Sequence, residues 1–479
     1  MRKSQKNALF SRIALQLHTQ PSLARLLADP LLFRRPKIGP ASELQNLFGA
    51  MQCPLVEALR QFKQWFQAQP RQSSLISSAL EDAESRKTSS IAKRRRIGEK
   101  LHLNPNSSRS KIASEILWNG VRVIKVSRLC RPYPTIDCWI VETKEIWHKW
   151  YRHIYFGKQP DKRIRRRKMK MVDSRYLQED LAEDESALYV DCKTEILVGG
   201  AIRNTCESRK ILRYIQSVVA ENTADRISVR KEDAGVLAIA GWCAGSRSRT
   251  TFDWVKNLLG TQSKEQKMEY EYRAASAFAL FWNMVKSLGP EEVRRDLEAF
   301  ASTDGLYRMD SAIWGGGREQ QYSVMLDEEE LLFQGADMAP PSGVFGRNYA
   351  RFVHRERQPH RWSVSWTTYR LQSSGTELGG HFYLCNWGIR IRAATSTMVF
   401  WKPEEWHGTS LPNMVPHEDT LISDGMAIVT SNRLPGAFKK FWEGTISYEE
   451  LVKLERKIAQ VNDEVEVPVR RKRVLRKRA

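Results

Sequence analysis

Residues 352–368 hold an alternating run in which Trp362, Val364 and Trp366 are separated by Ser363, Ser365 and Thr367. A period of two predicts a half-buried strand. Gly379 and Gly380 interrupt the pattern, and 382–384, 389–391, 397–401 and 426–430 then follow as short apolar or alternating runs between turn residues. A succession of short strands of this kind predicts a β-sandwich or barrel. Upstream the period changes to helical, as in Leu44, Leu47, Leu55, Leu59, Phe62 and Phe66. Residues 122–126 and 139–141 read as strands and 145–156 as an aromatic-rich helix. The stretch 180–300 reads as helices, notably 264–288 and 291–300.

The predicted fold class is therefore α+β, with a cupin-like double-stranded β-helix core, supporting helices and a helical, basic N-terminal region. Five segments follow: 1–70 helical; 71–110 a linker rich in Ser, Arg and Lys; 111–300 mixed, with a basic patch; 301–445 the β core; 446–479 a charged helical tail. No internal repeat is found, and 479 residues suffice for two or three domains.

Charge adds a partner. The net charge of +22 is concentrated in three runs, 93–96 (KRRR), 162–170 (KRIRRRKMK) and 470–478 (RRKRVLRKR). Three separate basic runs point to a polyanion, because each Lys or Arg on a phosphate releases condensed counterions. Nucleic acid is the expected partner, DNA ahead of RNA, and the same runs have the character of nuclear-import signals, so a nuclear location is expected. Trp147, Trp150, Tyr151 and Tyr155 lie beside the second run, where aromatic rings can stack on bases or fill a core. Seven scattered Cys fit a reducing compartment, and the closest pair, Cys130 and Cys138, lacks zinc-ligand spacing. No apolar run reaches the roughly 18 residues of a membrane span, so no membrane partner is expected. The N-terminus lacks the apolar core and cleavage site of a secretory signal.

Candidate chemistry concentrates in 351–409, which holds four of the nine histidines. His354 and Glu356 form an H-x-E pair ahead of one strand, and His407 follows just after another. Two imidazoles and one carboxylate make the facial triad of non-haem Fe(II) oxygenases, which leaves other coordination positions open. Two ligands can sit together on one strand end while the third returns from a distant strand. A double-stranded β-helix would place all three at one open mouth. His360, His381 and His417 compete as ligands on composition alone.

The order H-x-E, W-S-V-x-W, G-G-x-F, G-I-x-I and then V-x-F-x-x-x-x-x-H-G-T, over about 340–435, resembles the catalytic core of the TET/JBP group of dioxygenases, and most of all its divergent copies associated with mobile elements in fungal genomes. The resemblance implies Fe(II) and 2-oxoglutarate as cofactors, with His354, Glu356 and His407 as the catalytic iron ligands. It implies oxidation of the methyl group of 5-methylcytosine, or a related methylated pyrimidine, in nucleic acid. The target base would be flipped out of the duplex, with Tyr369, Phe382, Tyr383 and Trp387 as candidates to sandwich it.

Two departures bear on the carry-over. Glu356 stands where the group usually has Asp. No Arg follows His407 at the usual position to pair with the distal carboxylate of 2-oxoglutarate, and the next is Arg433; Lys402, Arg390 and Arg392 are other candidate anchors. Two alternatives stay open: a catalytically inactive nucleic-acid-binding protein on a dioxygenase-like scaffold, or a protein hydroxylase of the same superfamily anchored through Lys402.

Overall fold

The computed structural model describes residues 3–27, 40–70 without 54, 73–80 without 78, 97–98, 118–157, 166–246 without 207, 250–260, 263–311, 320–372 without 328, and 375–446. Basic runs 93–96 and 470–478, most of the 71–110 segment and nearly all of 446–479 lie outside the described residues, as does 162–165 of the second run.

Four helices open the chain: α1 (Lys3–Thr19), α2 (Pro21–Leu26), α3 (Pro40–Phe48) and α4 (Leu55–Gln67). Phe10, Leu17, Leu44, Phe48, Phe62 and Phe66 form a hydrophobic core of their own there. The rest alternates strands and helices in the order β1 (Val121–Val126), β2 (Cys138–Val141), α5 (Lys144–Phe156), β3 (Lys168–Met171), β4 (Glu179–Leu181), β5 (Ser186–Asp191), β6 (Leu197–Ile202), α6 (Arg209–Asp225), β7 (Ala234–Gly245), β8 (Thr250–Trp254), α7 (Lys264–Leu288) and α8 (Glu291–Ala301). There follow β9 (Gln321–Leu326), β10 (Glu329–Gln334), β11 (Ser342–Ala350), β12 (Ser363–Arg370), β13 (Phe382–Leu384), β14 (Ile389–Ile391), β15 (Thr397–Trp401), β16 (His407–Thr409), β17 (Ser423–Ile428) and α9 (Leu434–Trp442). Helices and sheets are mixed, as an α+β fold requires, and among the described residues no helix is long and apolar enough to cross a membrane.

Two sheets position the site. The larger runs β1-β5-β6-β15-β12-β17-β11-β7-β8, and the smaller runs β16-β13-β14-β4. One face of the larger sheet is covered by α6 and α7: Phe281 stacks on Trp366, and the Phe278 and Phe345 ring centres are 4.9 Å apart. Ser263 starts α7 with a reciprocal capping box to Gln266, which satisfies two otherwise orphaned helix N–H groups. The middle of α7 is apolar on every side, with Phe278, Phe281, Trp282 and Val285 all buried, so it must be enclosed by other elements.

The other face of the larger sheet looks toward the smaller sheet across a cavity of about 160 Å³. Val344, Ser365, Thr367 and Ala427 line it from one side, and Phe382, Ile391 and Thr409 from the other.

The stretch 180–300 differs from its helical expectation, because it also contributes β5, β6, β7 and β8. The cause is visible in β6. All six residues of LVGGAI are buried, so there is no polar alternation to read. Its glycines are required by close approach: a Cβ on Gly200 would lie 2.5 Å from the Ala187 carbonyl oxygen, and one on Gly199 2.7 Å from Leu384.

Candidate metal centre

His354 and His407 are held side by side by their own backbones. The His354 N–H donates to the His407 carbonyl at 2.8 Å and the His407 N–H donates back at 2.9 Å. This isolated antiparallel bridge extends the smaller sheet beyond β16. His407 is in turn the register partner of Leu384 in β13. Glu356 is fixed two residues on by its N–H donating to the Pro403 carbonyl at 2.8 Å. A chain that turns away after β11 and returns as β16 thus puts three side chains on one spot.

The imidazoles of His354 and His407 have ring centres 4.3 Å apart. One ligand atom from each imidazole and one Glu356 carboxylate oxygen all lie within 4.8 Å of one another. Each imidazole is also held in the tautomer a metal needs. His354 Nδ1 lies 2.9 Å from the Phe352 carbonyl and His407 Nδ1 2.8 Å from the Glu405 carbonyl. A carbonyl only accepts, so both Nδ1 atoms carry the proton and both Nε2 lone pairs are free for an ion. Burial lowers the pKa of both rings, and the Arg351 guanidinium adds to this, so each imidazole is neutral.

Glu356 is oriented from behind. Gln358 donates from Nε2 to Glu356 Oε1 at 3.2 Å, and its Oε1 accepts from Ser363 Oγ at 3.0 Å and from the Thr430 N–H at 3.1 Å. The Thr430 N–H can only donate, which settles which end of the Gln358 amide faces Glu356. Two imidazoles and one oriented carboxylate on a buried edge fit a divalent transition metal with open positions.

The competing histidines lie elsewhere, and among the described residues this is the one His/Cys/Asp/Glu cluster with metal-ligand geometry. His360 Nδ1 is bonded to the Trp362 carbonyl. His381 Nδ1 accepts from the Ala393 N–H. His417 is exposed, with its ring 5.0 Å from that of His153.

The candidate anchor cations are not brought to the three ligands. Arg433 donates to the carbonyls of Ala244, Gly245 and Ser246 near the end of β7. Lys402 donates to the Leu197 carbonyl and lies over the Trp362 ring. Arg390 is buried in ion pairs with Glu142 and Asp180. Arg392 lines the cavity, but two of its nitrogens are bonded to Asp180. Among the candidate base-stacking aromatics, Phe382 lines the cavity, whereas Tyr383 is buried and donates to Glu142 at 2.6 Å.

One cation went unnoticed in the sequence. Arg370 ends β12, is 7% exposed, and donates from Nη2 to the Gly379 carbonyl. Its Nη1 is buried without a partner among the described residues. Simple alternation from Trp366 would assign Arg370 to the helix-covered face. A register shift between Thr367 and Tyr369 instead pairs Arg370 with Ser423, which lines the cavity. No sequence signal marks that irregularity, since bulges depend on the partner strand.

No family model matches the sequence, and no curated protein does. Among solved structures the chain is similar to NgTET1 in complex with 5mC DNA, at 10% identity and a TM-score of 0.32, over 60% of this chain and 86% of that one. It is also similar to a Pseudomonas putida prolyl-4-hydroxylase, at 8% identity and a TM-score of 0.23, over 48% of this chain and 91% of that one.

Proposed function

We propose that the chain is an Fe(II)- and 2-oxoglutarate-dependent dioxygenase that oxidises the methyl group of 5-methylcytosine, or a related methylated pyrimidine, in nucleic acid. The observation that carries this reading is the convergence of His354, Glu356 and His407 within 4.8 Å, with both histidines presenting Nε2. The sheet order supports a double-stranded β-helix around them. After β11 the chain crosses to the small sheet at His354, returns to the large sheet as β12, forms β13 and β14 in the small sheet, β15 in the large, β16 in the small and β17 in the large.

In this reading the three side chains hold iron, and the iron with its 2-oxo acid supplies the oxidising power for a methyl C–H bond. The protein orients the metal through Gln358 and the two backbone carbonyls, and the enclosed cavity limits water. At about 160 Å³ the cavity is smaller than the roughly 300–1,000 Å³ of drug-sized sites, so it suits a small co-substrate and leaves a nucleobase to approach from the mouth.

The charge of +22 supports a nucleic-acid partner, DNA before RNA, and a nuclear address. The silent-scaffold reading is weakened by the retained tautomers and the oriented Glu356, and the protein-hydroxylase reading loses its supporting feature because Lys402 is bonded to the Leu197 carbonyl.

The test is metal content and 2-oxoglutarate turnover on DNA containing 5-methylcytosine. The wild type should bind Fe(II) and consume 2-oxoglutarate, His407→Ala should do neither, and His360→Ala should do both. Equal iron binding by the wild type and His407→Ala would remove the metal assignment. Turnover without base oxidation would remove the substrate.

A further inference from the structure

The end of the inter-sheet cavity away from the His–Glu–His cluster holds two buried N–H donors with nothing to bond. Arg370 Nη1 is one, and its pKa, lowered by burial to about 10, leaves it charged at neutral pH. The second is His381 Nε2. Because His381 Nδ1 accepts from the Ala393 N–H at 3.0 Å, the ring proton must sit on Nε2, which is buried without a partner among the described residues. The residue between β13 and the Arg370 contact is Gly380, which lines the cavity, and a Cβ there would lie 2.9 Å from Arg370 Nη1. An unmade hydrogen bond on a buried charged group is costly, about 1–3 kcal/mol or more. Two such donors at one cavity end therefore call for an anionic acceptor.

We infer that Arg370 and His381 form a carboxylate-binding wall that takes the far end of a small dicarboxylate whose other end meets the metal. This rests on the metal-centre reading above and deepens it. It places the anchor on β12 and the lead into β13, not on the last strand.

The dimensions select the ligand length. His407 is opposite Leu384 in the small sheet, and His381 is three residues further along, about 10 Å at roughly 3.3 Å per residue. A five-carbon chain of four C–C bonds near 1.5 Å spans about 5 Å in zigzag. A metal–oxygen bond of about 2 Å and a charge-assisted hydrogen bond of about 2.8 Å bring the total to about 10 Å. A five-carbon 2-oxo diacid fits this gap, and a three-carbon diacid falls short by about 2.5 Å.

The anchor need not be Arg for charge alone. One arm of the guanidinium is tied to the Gly379 carbonyl, which aims the other arm along the cavity. A lysine ammonium has no such second arm.

The experiment is calorimetric titration of anaerobic Mn(II)-loaded full-length protein with 2-oxoglutarate and with 2-oxopentanoate, which has a methyl group in place of the distal carboxylate. Wild type should prefer 2-oxoglutarate by at least tenfold. In Arg370→Gln that preference should collapse to within about threefold, with affinity for Mn(II) and for 2-oxopentanoate retained, and Arg370→Lys should fall between. His381→Asn leaves the Arg370–Gly379 bond in place and should lower the preference severalfold, so the proposal stays testable if Arg370→Gln does not fold. Retention of the full preference in Arg370→Gln, or in His381→Asn when the first variant is unfolded, overturns the wall while leaving the metal centre standing. A wild type that binds Mn(II) but neither 2-oxo acid overturns the wall and the proposed co-substrate together.

Discussion

Replacing Gln358 tests whether Glu356 is held for a metal. The Gln358 amide accepts from Ser363 Oγ and the Thr430 N–H and donates to Glu356 Oε1. Gln358→Glu keeps a carboxyl oxygen for Ser363 and Thr430, but turns the donor that faces Glu356 into a second acceptor. The fold should survive, whereas Glu356 loses its orienting bond and gains a like charge. Loss of an outer partner of a metal ligand typically costs 10–100-fold in affinity, about 1.4–2.8 kcal/mol. Gln358→Leu removes both functions. It leaves the Thr430 N–H without its acceptor, so stability should also fall by about 1–3 kcal/mol. The assay is competition for Fe(II) or Mn(II) against a chromogenic chelator, with denaturant unfolding run in parallel. Metal affinity of Gln358→Glu equal to wild type would mean that Glu356 is not a ligand or does not depend on Gln358, and would refute the reasoning.

Two further outcomes concern stability. Burial lowers the pKa of His360 to about 4, against about 6.5 in an unfolded chain. A folded pKa below the unfolded one means stability is lost as pH falls from about 6.5 toward 4, by about 2 kcal/mol between pH 7 and 5. His360→Gln should lose less stability than wild type over that interval by this amount in denaturant titrations, and identical pH dependence would disprove it. The Arg226–Glu271 pair, 2.7 Å apart with side chains 0% and 3% exposed, should cost about 3–5 kcal/mol when Arg226→Met leaves Glu271 buried alone. The double change Arg226→Met with Glu271→Met should recover much of that in the same unfolding assay, and a double variant no more stable than the single would contradict the account.

The local pattern already announced β12 to β15 and the helix α7. Amphipathic alternation and unbroken apolar runs are properties of neighbouring residues, and they need no knowledge of partners. The residue types and order of His354, Glu356 and His407 were equally plain, because metal chemistry restricts the donor set to a few side chains. Their convergence was not. It depends on the paired backbone bonds between His354 and His407, which join residues on opposite sides of three intervening strands.

The cations show where sequence reasoning stops. Arg390 and Arg392 alternate with Ile389 and Ile391 as if they faced solvent, yet Arg390 is 6% exposed because Glu142 and Asp180 arrive from β2 and β4. Arg433 and Lys402 lie near His407 in order, but each donates to backbone carbonyls of a different strand. Arg370 stood in a strand whose alternation pointed it outward, and a register shift against β17 turned it toward the cavity. Composition and order determined which chemistry this chain can carry and which segments are strands or helices. Only the tertiary structure decided which donors meet, which charges are already paired and which are left unsatisfied, since those follow from contacts between strands far apart in sequence and from one bulge whose energy resides in its partner strand.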